Sequence, residues 1–191
     1  MRRIGLLGGT FNPIHIGHLT MAQVAMERMN LDKIIFIPSC IPPHKKIKNL
    51  AAARHRYNMV RLALQGNPDF AVSNFEIQKA GKSYSIDTVR YFRKKYPRGT
   101  KLFFIIGADA LAGLRDWKNI DQLLKLVTFV VVNRPGYIYR GSRIRYKYVA
   151  MPDIDIASSF LRSRVAEGRS IKYFVPDKVF AYIKKHRLYK E

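Results

Sequence analysis

Apolar residues recur along the chain in two rhythms. One is the short unbroken run. "RRIGLLGG" opens the sequence this way and ends in Gly8 and Gly9, and "KIIFIPS" (33–39) follows with several β-branched residues; both predict buried strands. The other rhythm is helical. In "HLTMAQVAMERMN", Leu19, Ala22, Met26 and Met29 fall on one face, which predicts an amphipathic helix between the two strands. Strand, helix and strand in that order make a parallel pair with a right-handed crossover.

The alternation continues. "CIPPHKKIKNLAA" is a loop by its prolines and charges. "RHRYNMVRLALQGN" predicts a helix closed by Gly66, "FAVSNFEI" a strand, and "SYSIDTVRYFRKKYP" a helix with a serine or aspartate near its start and Pro97 beyond its end. "KLFFIIG" (101–107) and "VTFVVVN" (127–133) are two more buried strands, and "GSRIRYKYVAMPDIDIASS" holds a last short one. "SSFLRSRVAEG" opens a helix at a serine. "PDKVFAYIKKHR" is a final helix, with proline at its start and cations at its end, as the helix dipole favours. No repeat or low-complexity segment interrupts the pattern. The expectation is an α/β chain with a doubly wound parallel sheet. It should form a single domain over residues 1–191, with a small helical part at about 157–191.

Ligands of such sheets bind beyond the carboxyl ends of the strands. Gly8 and Gly9 stand there after the first strand, Ser39 after the second, Gly107 and Asp109 after the fourth, and Asn133 and Arg134 after the fifth.

Composition narrows the class. Hydrophobic residues make up 48%, enough for a sizeable core. No apolar run reaches membrane-spanning length, and the N-terminal run is too short for a secretory signal. The one cysteine, Cys40, excludes an intramolecular disulfide or a cysteine-based zinc cage. A soluble cytoplasmic protein is expected. Lys+Arg 35 against Asp+Glu 13 gives a net charge of +22, which favours polyanionic partners. The cations are spread along the chain without the dense block of a nucleic-acid tail, so most read as solvated surface. The stretch "GYIYRGSRIRYKY" (136–148) interleaves aromatics with cations and suits either a base-stacking platform or a subunit interface.

The densest chemistry lies in "GGTFNPIHIGH" (8–18). It is neither a Walker loop nor the dinucleotide fingerprint. Glycines after a strand let phosphates approach backbone N–H groups. His15 and His18 flank the start of a helix, where anions are already favoured. A histidine pair at this spacing also suits a metal, but no third Cys, His or carboxylate lies near in sequence.

"HIGH" after a Gly-rich turn resembles the nucleotidyltransferase superfamily, which includes class I aminoacyl-tRNA synthetases. The longer string is similar to the bacterial nicotinate-nucleotide adenylyltransferase family, whose pattern usually reads G-G-T-F-D-P-x-H-x-G-H. Asn12 here replaces the commoner Asp, keeping size and an acceptor oxygen but dropping the charge. Four further segments resemble that family. "IPPHKK" (41–46) looks like its Pro-Pro-His-Lys loop, "SYSIDT" (83–88) like its Ser-Tyr-Thr-x-Asp-Thr segment, "FIIGADAL" (104–111) like its strand followed by Gly-x-Asp, and "IASSFLR" (156–162) like its Ile-Ser-Ser-Thr-x-Ile-Arg signature. Ser85 and Ala157 depart from the commoner Thr and Ser. The motifs keep their order from residue 4 to 162.

The resemblance implies a Rossmann-like nucleotidyltransferase that joins ATP and nicotinic acid mononucleotide into nicotinic acid adenine dinucleotide, releasing pyrophosphate. It implies His15, His18 and Arg162 as catalytic groups. Gly8, Gly9, Thr10, Phe11, Gly107, Asp109, Ser158 and Ser159 would join them around ATP, with Asp109 on ribose hydroxyls and one of the serines capping its helix. His44, Lys45, Tyr84, Ser85, Thr88, Trp117 and Arg134 would hold the mononucleotide, Trp117 stacking on the pyridine ring. Mg²⁺ would arrive with ATP rather than in a dedicated protein metal site. The alternatives are nicotinamide mononucleotide or another small acceptor, more remotely a nucleic-acid-binding module. Membrane partners are not expected, and a homo-oligomer is left open.

Overall fold

An apolar run without alternation can be buried on both sides, and the four inner strands are. A computed structural model describes residues 1–42, 48–133 and 144–190. Among these, β1 (Arg3–Gly9), β2 (Lys33–Pro38), β3 (Phe70–Val72), β4 (Lys101–Gly107), β5 (Thr128–Val132) and β6 (Tyr146–Val149) form one sheet in the order β3-β2-β1-β4-β5-β6. All neighbouring strands are parallel. On β4, Leu102, Phe104 and Ile106 enter one core and Phe103 and Ile105 the other. Each such side chain contributes about 1.5–3 kcal/mol when buried, so neither face of the strand tolerates a polar residue.

Helices cover both faces. α1 (Ile16–Arg28), α2 (Ala53–Ala63), α7 (Ser158–Ala166) and α8 (Asp177–Lys185) lie on one, contributing Ala22, Ala25, Met59, Val60, Leu161, Val179 and Ile183 to its core. α4 (Ser85–Lys95) and α6 (Ile120–Leu126) lie on the other, with Ile86, Val89, Phe92 and Leu123. A four-residue helix, α5 (Ala108–Leu111), follows β4.

One segment differs from the sequence expectation, and two short helices add to it. "FAVSNFEI" is a strand only over Phe70–Val72. It then turns into α3 (Phe75–Lys79), because Phe75 stacks on Tyr91 of α4 at 4.1 Å. The apolar pairing across two helices outweighs the strand tendency of the run. α6 and α5 were not legible, being short and weakly patterned.

The sheet reverses its winding between β1 and β4. Gly9 pairs with Pro38, Leu7 with Ile105 and Gly107 with Val132. The glycine-bearing strand ends therefore flank the crevice where open α/β sheets bind ligands.

Candidate active site

The turn from β1 to α1 forms the first wall. Gly8 is exposed, and Gly9 and Thr10 are half-buried. Phe11 has φ 48°, the left-handed region, and its ring folds back beneath Gly9. A Cβ on Gly9 would sit 2.8 Å from that ring, so only glycine fits. The Phe11 ring packs on Phe36 and edge-on to His18, with centroids 5.8 and 5.1 Å away. At 2% exposure, Phe11 is a wedge under the turn and offers a ligand only its main chain.

His15 caps the N-terminus of α1, whose first turn carries no acidic residue. The main-chain N–H of His15 donates to Nδ1 of His18 at 3.3 Å. A neutral His18 therefore carries its proton on Nε2. The two imidazoles lie 3.8 Å apart, at the helix end that favours anions.

Asn12 has a definite place. Its Oδ1 accepts from the N–H of Ala51 at 3.0 Å and from the hydroxyl of Tyr189 at 2.9 Å, and its Nδ2 donates to the carbonyl of Asn49 at 3.1 Å. At 2% exposure it is a junction of three distant segments. An Asp would keep the two acceptor contacts and lose the donor to Asn49. Tyr189 is pushed far up by burial, with Arg162 and Arg56 pulling the other way, so its hydroxyl stays a donor.

α7 closes this wall from above. Arg162 donates to the carbonyl of Asn12 at 3.0 Å, and Ser158 to that of Pro13 at 2.9 Å. The capping residue is Ala157, not a serine. This corrects the expectation: Ser158 is the first residue of the helix, and its hydroxyl serves the loop below. Ser159 is exposed beside it. At the end of β4 the Asp109 carboxylate folds back over Gly107, within 2.5 Å of where a Cβ on Gly107 would stand.

The second wall joins β2 to the start of α4. Cys40 N–H donates to the Ser83 hydroxyl at 2.9 Å, and Ser83 N–H to the Ile41 carbonyl at 3.0 Å. Tyr84 and Ser85 thereby sit next to the end of β2, half-buried. The Lys118 ammonium lies 4.5 Å from the Tyr84 ring centroid. Neighbouring Trp117 is half-buried, edge-on to Phe104 and Phe129 at 5.8 and 6.2 Å. Thr88 departs from its expected use. It is 1% exposed and donates to Glu76 at 2.5 Å, so its hydroxyl points into the core. Burial raises the Glu76 carboxyl above the ordinary range, against hydrogen bonds from Thr88 and Ser83 and the Lys79 charge. His44, Lys45 and Arg134 lie outside the described residues.

Two surface depressions, of about 570 and 430 Å³, lie elsewhere, around Met1, Arg2 and Pro97–Thr100 and between α1 and α2. The candidate site is an open crevice of loop ends. Sequence reasoning missed Arg56, Glu76 and Tyr189. For Arg56 a signal existed: it shares a helical face with buried Met59 and Val60, and a cation in that register is rarely idle.

A cytidylyltransferase-like family model matches residues 6–179. A probable nicotinate-nucleotide adenylyltransferase of Lactiplantibacillus plantarum is 44% identical over 190 residues, covering 100% of this chain and 89% of that one. Another, from a Thermoanaerobacter species, is 44% identical over 203 residues and covers 99% and 95%. Among solved structures, Plasmodium falciparum nicotinic acid mononucleotide adenylyltransferase complexed with APC shares the fold, with a TM-score of 0.81 at 17% identity over 99% of this chain and 98% of that one. By sequence along its whole length, the chain belongs to the nicotinate-nucleotide adenylyltransferases within the cytidylyltransferase-like family.

Proposed function

We infer that this chain transfers the adenylyl group of ATP to nicotinic acid mononucleotide, forming nicotinic acid adenine dinucleotide and pyrophosphate in NAD biosynthesis. The observation that carries the reading is the first wall. A glycine turn, a helix N-terminus with two imidazoles, and the Arg162 guanidinium converge where a strand gives way to a helix. That arrangement suits a polyphosphate and little else.

The 5′-phosphate of the mononucleotide attacks the α-phosphorus of ATP, a bond to that phosphorus forms, and pyrophosphate leaves. The nucleophile is ionised at neutral pH and needs no general base. Catalysis is then positioning and charge stabilisation. His18 donates from Nε2 and His15 assists beside it. Arg162 and the start of α7 hold the leaving phosphates, and Asp109 accepts from ribose hydroxyls. Tyr84, Ser85 and Trp117 receive the pyridine half, and the family resemblance adds His44, Lys45 and Arg134 to the groups that bind the mononucleotide. Main-chain N–H groups beside Trp117 suit the nicotinate carboxylate better than a carboxamide.

Among the described residues no group of three or more His, Cys, Asp or Glu could hold a metal ion. The strand-end donors are mostly N–H groups, which suit phosphate oxygens. Mg²⁺ fits such a site as a companion of ATP, carried by phosphate and water oxygens and neutralising their charge. No helix among the described residues is long and apolar enough to cross a membrane, and use of ATP agrees with work in the cytoplasm.

The test is product formation from ATP with nicotinic acid mononucleotide and, in parallel, with nicotinamide mononucleotide. Preferred conversion of the first, with equimolar pyrophosphate, is expected. Equal or better use of the second would reject the nicotinate assignment, and turnover of neither would reject the reaction.

A further inference from the structure

Among the described residues the largest fully buried side chain is a charged one. Arg56 of α2 is 1% exposed and makes no ion pair among the described residues. Its guanidinium donates instead to four main-chain carbonyls. Nε reaches Ala51 at 2.9 Å, one terminal nitrogen reaches Thr10 at 2.8 Å and Ser39 at 2.7 Å, and the other reaches Cys40 at 2.8 Å.

These carbonyls come from the working edges of the site. Thr10 lies in the turn after β1. Ser39 and Cys40 follow β2, and Ala51 precedes α2. Arg56 thus pins both ends of the loop after β2 against the phosphate turn. It also holds the carbonyl of Ser39, whose buried hydroxyl has no hydrogen-bond partner among the described residues, an unusual state for a buried polar group away from a ligand. Burying a cation without a carboxylate is an expensive way to pack a helix. The planar fork of five N–H donors is what four inward-pointing carbonyls require, and an ammonium cannot reproduce it.

We propose that Arg56 is a positioning residue of the transfer reaction, fixing the phosphate turn and the β2 loop relative to each other and so setting the attacking phosphate against the α-phosphorus. The proposal rests on the adenylyl-transfer reading above. It makes a distinctive demand. Each substrate alone meets an intact wall, whereas the reaction depends on the spacing between the walls.

The experiment compares wild type with Arg56→Lys, which keeps charge but not the fork, and Arg56→Gln, which keeps one amide donor without charge. Calorimetry gives the Kd of a non-hydrolysable ATP analogue and of nicotinic acid mononucleotide separately, and thermal melting gives the folded fraction. The expected result is a kcat per folded molecule lowered about 100-fold, with each Kd within about threefold of wild type. Unchanged kcat with only a lower melting temperature would assign Arg56 to the fold alone and overturn the proposal. So would a Kd for either substrate that rises as far as kcat falls, or failure of both variants to fold. A wild-type chain inactive with both substrates would sink the reaction itself, before any variant is compared.

Discussion

The two walls of the site are built from different materials. The first, from β1 to α1 and α7, is main chain and cations: a glycine turn, helix ends, Arg162, and Asn12 as a neutral junction. The second, from β2 to α4 and Trp117, is aromatic rings and hydroxyls, with the Thr88 and Ser83 hydroxyls on the buried Glu76. Their buried polar centres differ in kind. Arg56 cannot lose its charge at any physiological pH, so its burial is met by carbonyl dipoles. Glu76 can take up a proton, and its burial favours doing so. The first wall and its Arg56 link to the end of β2 should therefore keep their geometry across pH, while the second wall also carries a titrating support.

The sharpest break between the walls is His18→Ala. Loss of the Nε2 donor should lower kcat about 100- to 1,000-fold with only a modest loss of unfolding free energy from the helix-start contacts. A fully active variant would remove the phosphate role from the first wall. Trp117→Ala should act on the other substrate, raising the KM for nicotinic acid mononucleotide about tenfold and leaving that for ATP near wild type. Equal shifts in both would make Trp117 a packing residue of Phe104 and Phe129.

Tyr189→Phe removes one donor to Asn12 Oδ1, which still accepts from Ala51. Urea denaturation should show a loss of about 1 kcal/mol. No loss would mean that the C-terminal tail does not brace the first wall. Glu76→Gln is the mildest change, because the amide keeps an acceptor for Thr88. A carboxyl whose folded pKa lies above its unfolded value binds its extra proton in the native state. Stability then falls as pH rises through the window between the two values. Melting temperatures across that window should slope downward in wild type and flatten in Glu76→Gln, with the variant no less stable at neutral pH. Parallel curves would show that Glu76 does not titrate there.

How far the site was legible in sequence follows from how local each feature is. His15, His18, Gly9 and Ser158 sit in contiguous strings whose spacing alone implies an anion at a helix start. Thr88 and Phe11 belong to the same strings, yet their side chains face the core. Which side of a turn or helix they face depends on Glu76 and Phe36, residues distant in sequence.

The sequence by itself determined the alternating strands and helices, which rest on periodicity that survives in any packing of the chain. Through the motifs it shares with its relatives it also determined the family. Only the tertiary structure decided that "FAVSNFEI" breaks after three strand residues, that Asn12 joins the first loop to residue 49 and to Tyr189, and that Arg56 gathers four carbonyls. Hydrogen bonds between segments up to 177 residues apart exist only once the sheet has brought the strand ends to one edge.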